Sequence, residues 1–217
     1  MTADLTSLRI SEIFYSLQGE STTVGLPTVF VRLTGCPLRC HYCDTAYAFS
    51  GGSVFPMENV LSQVASYRAQ YVTVTGGEPL AQPACHPLLQ QLCNAGYNVS
   101  LETSGALDVS AVDARVSKVM DVKTPSSGES RRNLDSNIDS LASHDQVKYV
   151  IGDRDDYEWS KQHVQQYQLQ GRCEVLFSPV YGKVAPDCLA DWILADRLAV
   201  RFPVRLHKVL WGDAPGK

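Results

Sequence analysis

Short runs rich in β-branched and aromatic residues recur along the chain, separated by helical periods and each ending on a polar or glycine-rich turn. That rhythm restricts the chain to a sheet of mainly parallel strands. The runs are 28–33 (TVFVRL), 71–75 (YVTVT), 98–102 (NVSLE), 118–122 (KVMDV), 146–151 (QVKYVI), 174–177 (EVLF) and 203–206 (PVRL), and their length and composition read as strands. Between them Met57, Val60, Leu61 and Val64 recur at helical spacing, as do Leu88, Leu89 and Leu92, with further helical patterns near 157–167 and 188–198. Strand, helix and strand repeated about six times pair in parallel through right-handed crossovers, as in a barrel or a doubly wound sheet.

Sheets of this kind carry function at the carboxyl ends of their strands. Cys36 follows the first run, Gly76-Gly77-Glu78-Pro79 the second, Thr103-Ser104-Gly105 the third, Lys123-Thr124-Pro125 the fourth and Ser178-Pro179 the sixth. All five signals fall at one end of the expected sheet. At 217 residues and 44% hydrophobic the chain can bury one substantial core, and no linker interrupts it, so a single domain over 1–217 is expected. Its strands are too few for an eightfold barrel of about 250 residues. The expected fold class is therefore α/β, an incomplete, about six-stranded TIM-like barrel, whose open lateral edge calls for cover.

The formal net charge is −4, and no run of Lys or Arg makes a nucleic-acid footprint, so no nucleic-acid partner is expected. Residues 1–10 lack a basic region followed by an apolar one, and eighteen apolar residues never run together; the expectation is a cytoplasmic protein with no membrane partner. The stretch 125–137, rich in Ser, Arg and Gly, is the longest expected loop and reads as a solvated loop or a mobile lid.

Three of the seven cysteines, Cys36, Cys40 and Cys43, lie within eight residues. A tetrahedral zinc site or an ordinary iron–sulfur cluster takes four protein ligands, so three thiolates imply a metal centre with one position left open. The C-x3-C-x2-C spacing on a loop past a strand fits three corners of a [4Fe–4S] cube. The alternative is a structural zinc site completed by His41 or a remote His, but zinc ribbons usually bring a second C-x2-C pair and this chain has none. Cys85, Cys93, Cys173 and Cys188 are scattered through apolar or amphipathic stretches and read as small buried hydrophobes in a reducing compartment.

The cluster, with an aromatic at Tyr42 before the last cysteine, resembles the signature of the radical S-adenosylmethionine (SAM) superfamily, and Gly76 to Pro79 matches that superfamily's second element. The resemblance implies a [4Fe–4S] cluster whose open iron is chelated by SAM, an electron from the cluster that cleaves SAM to a 5′-deoxyadenosyl radical, and a barrel of the radical SAM type. It places His41, Tyr42, Cys43, Gly77, Ser104, Lys123 and Pro179 against SAM, with Glu78 offering a carboxylate to its amino group.

Ser16-Leu17-Gln18-Gly19-Glu20, Phe30-Val31-Arg32-Leu33, Cys43-Asp44-Thr45 and His207-Lys208-Val209-Leu210-Trp211-Gly212 narrow the likeness. In that order, from residue 12 to residue 212, they resemble the 7-carboxy-7-deazaguanine synthase family. This implies a radical SAM lyase that contracts 6-carboxy-5,6,7,8-tetrahydropterin to 7-carboxy-7-deazaguanine with loss of ammonia, on the route to queuosine and related 7-deazapurines. The radical takes the hydrogen at C6 of the pterin, and SAM is regenerated.

Such a substrate needs acceptors and donors for its guanine-like edge and a cation for its carboxylate. By resemblance Leu17, Gln18 and Gly19 lie against the pterin, Gln18 and Glu20 read its edge, and Thr75 and His207 touch it. Arg32 sits in an apolar strand, where an unpaired guanidinium is costly. It shares a face with Phe30, opposite Val31 and Leu33. The resemblance gives it the substrate carboxylate; a structural ion pair with an acidic neighbour is the alternative. Thr45 is implied as a Mg²⁺ ligand, with substrate and water filling most of the shell, against a capping role. Trp211 reads as packing. The tail, about 203–217, is expected to close the pocket. An electron donor such as flavodoxin or ferredoxin and a homodimer complete the implied set.

Glu20, a Mg²⁺-bound water and the substrate's own carboxylate are the candidate bases, with none assigned. Ser21 stands where many relatives have Gly. Only Lys123 of Asp121-Val122-Lys123 matches a Ser-Pro-Lys segment, and only Pro179 carries over from 177–180. Two other readings remain open at this point: a radical SAM activating enzyme acting on a protein, and a non-catalytic iron–sulfur protein. The first predicts no pterin-edge readers and the second no Gly-Gly-Glu-Pro.

Overall fold

A computed structural model describes residues 5–212, 214 and 216. Residues 1–4, 213, 215 and 217 lie outside the described residues, and with them part of the expected domain and of the expected tail. Eight strands form one sheet: β1 (Ser7–Leu17), β2 (Pro27–Leu33), β3 (Ser53–Pro56), β4 (Tyr71–Gly76), β5 (Asn98–Thr103), β6 (Ser117–Val122), β7 (Gln146–Ile151) and β8 (Glu174–Pro179). Their order is β3-β1-β2-β4-β5-β6-β7-β8. β2 through β8 along that order are parallel, while β1 pairs antiparallel with both β2 and β3. The sheet is open, a partial barrel of six parallel strands with a two-stranded antiparallel margin.

The helices are α1 (Met57–Ser66), α2 (Cys85–Asn94), α3 (Arg154–Gln166), α4 (Pro186–Ala195) and α5 (Leu206–Trp211). None among the described residues is long and apolar enough to cross a membrane. Each of α1, α2, α3 and α4 turns an apolar stripe to the sheet; in α2 this is Cys85, Leu88, Leu89 and Leu92, at the spacing of one helix face. α3 starts at Asp153, whose carboxylate accepts from the Asp156 amide, and Asp155 and Asp156 add negative charge to the first turn. Asp153→Ala is expected to lower the unfolding free energy by about 1 kcal/mol, which a urea titration followed by circular dichroism will show; an unchanged midpoint would count against the cap.

Period-two alternation decides which face of each strand meets the helices. On β2, Val29, Val31 and Leu33 enter the core while Phe30 and Arg32 line a cavity; on β6, Met120 and Val122 enter the core and Val119 and Asp121 line the cavity; on β7, Val147, Tyr149 and Ile151 face the core and Lys148 and Val150 the cavity. A one-residue slip of register would exchange the two sets. The buried side chains form two clusters. One joins β1, β2, β4, β5, α1 and α2, and the other joins β6, β7, β8, α3 and α4.

Three expectations are corrected. Residues 203–206 are not a strand: the chain there is irregular and opens α5, and only Arg201 bridges to Leu176 of β8. Pro203 lacks the amide a ladder needs. The sheet also gains β1 and β3, both antiparallel, so it has eight strands rather than about six. Finally, β5–β6 and β6–β7 are joined without an α-helix.

Residues 125–137 are short 3₁₀ turns, pinned at both ends. Asn133 exchanges hydrogen bonds with the backbone of Lys123, Asn137 donates to Gly105 and Leu107 carbonyls, and the buried Asp156 accepts from Ser126 and Gly152. This is neither a free solvated loop nor an untethered lid. Of the four scattered cysteines, Cys85 is fully buried and the other three are half-buried.

Candidate active site

The inner face of the partial barrel surrounds a cavity of about 790 Å³, within the range of small-molecule and cofactor pockets. Its wall draws on the carboxyl ends of β2, β4, β5, β6 and β7, on the cysteine loop and on the tail through Gly212, Ala214 and Gly216. The structure brings together Leu17, Gln18, Gly19, Glu20, Arg32, Cys36, Cys40, Tyr42, Cys43, Thr45, Thr75, Gly77, Ser104, Lys123 and His207 on that wall. It does not bring His41, Glu78 or Pro179 there.

The three cysteines are half-buried and unbridged. All three line the cavity. A [4Fe–4S] cube takes one thiolate per iron, so these three cysteines would hold three of its irons and leave the fourth open. Burial pushes the Cys40 thiol up to about 11, against the pull of Lys123, so loading a metal here releases thiol protons. The loop is held from both sides. Gly77 and Glu78 amides donate to Leu33 and Gly35 carbonyls, Tyr42 hydroxyl meets Thr124 Oγ1 at 3.2 Å, and the Arg39 amide donates to Glu129 at 2.6 Å.

His41, expected against SAM, points away from the cavity: its amide donates to Ser127 and its Nδ1 lies 3.2 Å from the Ser126 carbonyl. Glu78 is corrected too. Fully buried, its carboxylate accepts from the Leu80 amide, Thr103 hydroxyl, and Ser104 amide and hydroxyl. It fastens the end of β5 beneath the cavity instead of offering itself to a ligand. Pro179 ends β8 paired with Ile151, and no residue of β8 is on the cavity wall.

On the same wall Glu20 pairs with Lys148 at 3.0 Å and Arg205 at 3.3 Å. Burial works to raise the Glu20 carboxyl, but Lys148 and then Arg205 more than offset it and hold it at about 2. The folded value lies below the ordinary 4.5, so ionised Glu20 contributes stability at neutral pH that is lost only as the pH falls toward about 2. Gln18 is buried, its Nε2 donating to Thr73 and its Oε1 accepting from the Glu20 amide. Arg32 pairs through Nε with Glu12 at 2.7 Å, its cross-strand partner, so the ionic alternative weighed for it is present, and Tyr47 donates to the same carboxylate. Thr45 donates to Asp44 at 2.9 Å and makes no side-chain cap to the turn it precedes.

His207 sits on α5 rather than after a strand. Its ring packs against Gly19, where an added Cβ would stand 2.1 Å from Nδ1, and the Leu206 amide donates to the Gly19 carbonyl. Burial lowers the His207 imidazole despite the opposing pull of Glu20, so the ring is neutral at neutral pH. Glu12, Asp44, Tyr47, Glu102, Lys148 and Arg205 also line the cavity and were not singled out by sequence. For Glu102 and Lys148 the available signal is the one that marks Arg32, a charge inside an apolar strand.

A family model described as the radical SAM superfamily matches residues 30–123. The protein named 7-carboxy-7-deazaguanine synthase from Chlorobaculum tepidum is 44% identical, covering 96% of this chain and 97% of its own. Another of that name from Koribacter versatilis is 40% identical over 94% and 97%. The crystal structure of QueE from Escherichia coli superposes with a TM-score of 0.76 at 22% identity, covering 90% of this chain and 92% of that one; at that identity it speaks to the fold.

Proposed function

Since the chain belongs to the 7-carboxy-7-deazaguanine synthase family of radical SAM enzymes, we infer that its cavity performs the ring contraction of 6-carboxy-5,6,7,8-tetrahydropterin to 7-carboxy-7-deazaguanine and ammonia. The observation that carries this reading is that one cavity wall gathers two kinds of group: the three cysteines, and the ionised Glu20 with Gln18, Arg32 and His207. Neither a protein-activating enzyme nor an electron carrier has use for the second kind. The [4Fe–4S] cluster and SAM, when bound, supply the deoxyadenosyl radical that takes the substrate hydrogen.

The chain's own work is to bind and orient. Cys36, Cys40 and Cys43 would hold the cluster. Gly77, Ser104 and Lys123, with Tyr42, line the SAM side. Glu20, fixed as an anion, accepts from the amide and amino groups of the pterin edge, and Leu17 and Gly19 pack beside it. Arg32 spends Nε on Glu12, and its terminal nitrogens form the fork for the substrate carboxylate. Thr75, bonded to Glu102 at 2.9 Å, closes the floor. His207 presses on Gly19, and Gly212, Ala214 and Gly216 of the tail extend that side of the pocket. Thr45, on the wall beside Asp44, suits Mg²⁺ with one protein oxygen and a shell completed by substrate and water. An external one-electron donor such as flavodoxin or ferredoxin and a homodimer belong to the same reading.

The test is an anaerobic assay of reconstituted protein with SAM, Mg²⁺, reductant and 6-carboxy-5,6,7,8-tetrahydropterin. The expected result is 7-carboxy-7-deazaguanine by absorbance and mass. Protein with a full cluster that cleaves SAM but leaves the pterin untouched would refute the substrate assignment.

A further inference from the structure

Lys148 is a cation that nothing in the reaction as described requires. It projects from the middle of β7 onto the cavity wall, its side chain 12% exposed, with Nζ 3.0 Å from Glu20 Oε2 and 3.3 Å from Asp121 Oδ2. Asp121 is its partner in the parallel ladder between β6 and β7. The other oxygen of Asp121 lies 3.0 Å from Lys123 Nζ, two residues on and on the same face. Four charges of alternating sign, Glu20, Lys148, Asp121 and Lys123, therefore run along the wall from the pterin-reading end to the SAM end. Glu102 and Arg205 act on Lys148 from β5, two strands away, and from the tail.

We propose that Lys148 is a positioning residue that couples the two ends of the cavity, so that binding of the pterin and binding of SAM strengthen one another. The inference rests on the function proposed above. Lys148 is shared between two carboxylates at nearly equal distance. A ligand that donates to Glu20 takes part of that carboxylate's capacity and moves the ammonium toward Asp121. Asp121 then holds Lys123 less firmly, and the Lys123 ammonium is released toward an anionic group at the SAM end. The exchange runs equally in reverse, as any coupling between binding equilibria must. In a largely buried row the shift is felt strongly, because water does little to screen one pair from the next.

The test measures binding without turnover. Cluster-loaded, unreduced protein is dialysed against labelled SAM with and without saturating 6-carboxy-5,6,7,8-tetrahydropterin. In the unaltered protein the pterin is expected to tighten SAM at least about fivefold. Lys148→Met is expected to bring that ratio to within about twofold of unity, and Lys148→Arg to keep it. A purely structural role would weaken SAM binding equally in both arms and preserve the ratio, which overturns the proposal, as does a ratio of one in the unaltered protein. Should Lys148→Met fail to fold, Asp121→Asn/Lys148→Met removes both members of the ladder pair and is expected to lose the ratio as well; its retention overturns the proposal. Unaltered protein that binds SAM but no pterin would defeat both the proposal and the substrate reading beneath it, whereas turnover with an intact ratio in Lys148→Met defeats the proposal alone.

Discussion

Gly77→Ala is expected to strip the protein of iron while leaving it folded. An added Cβ at this position would stand 2.3 Å from the Gly35 carbonyl oxygen and 2.8 Å from Cys36 Cβ. Those atoms belong to the backbone and root of the cysteine loop, so no flexible side chain can swing aside. The loop itself must move, by about 1 Å, and a misplacement of that size at a reacting centre can cost about a hundredfold in turnover. Gly77 itself is not held at positive φ, so alanine adds no backbone strain and the two core clusters are untouched. Iron and sulfide counts after anaerobic reconstitution should fall well below four per chain, with the circular dichroism spectrum preserved. Gly171→Ala, where nothing lies within 4 Å of the added Cβ, is the control and should load normally. A fully loaded Gly77→Ala protein would mean that the loop has more room than the contact allows.

Glu78→Ala should be the most damaging single change to stability. Its carboxylate serves two backbone amides and two hydroxyls in a fully buried site, and removal leaves those donors without an acceptor. At about 1–3 kcal/mol for each buried orphan, a loss of about 4 kcal/mol in unfolding free energy is expected, a large part of what holds a domain of this size together. SAM affinity should fall with it, because Ser104 is held in place by the same carboxylate. Glu78→Gln separates this from a direct ligand role. As an anchor it should lower the denaturation midpoint and SAM affinity together, through Ser104. If instead Glu78→Gln kept the midpoint and lost SAM binding, the residue would be a ligand and the anchoring account would fail.

These two residues also show what the sequence discloses and what it does not. Gly77 and Glu78 stand out by motif, and their place at the end of a strand beside the cysteine loop follows from the strand rhythm alone. The direction in which Glu78 faces does not follow, because a turn can aim its side chain at a ligand or under the floor with the same four letters. Arg32 was readable as a charge on the inner face, since alternation along β2 fixes it opposite Val31 and Leu33. Its partner Glu12 was not, because β1 lies antiparallel at the margin and its register comes from a pairing no local pattern announces. β1 itself alternates Leu8 and Ile10 with polar neighbours and was legible in principle. Residues 203–206 misled for the converse reason: β-branched content favoured a strand, but Pro203 and the docking of His207 on Gly19 direct the chain into α5. Lys148 and Arg205 acquire meaning only when strands and tail distant in sequence meet across the cavity.

The division of the apolar interior into two clusters, one on each side of the contact between β5 and β6, has a bearing on how the protein assembles. Glu20, Arg32 and Glu102 are delivered by one packing unit, and Asp121, Lys123 and Lys148 by the other. Neither unit alone contains a complete set of contacts for a cavity ligand, so recognition begins only once the seam has closed. Whatever binds across that seam acts as a rivet, favouring the joined state over any species in which one unit has come undone.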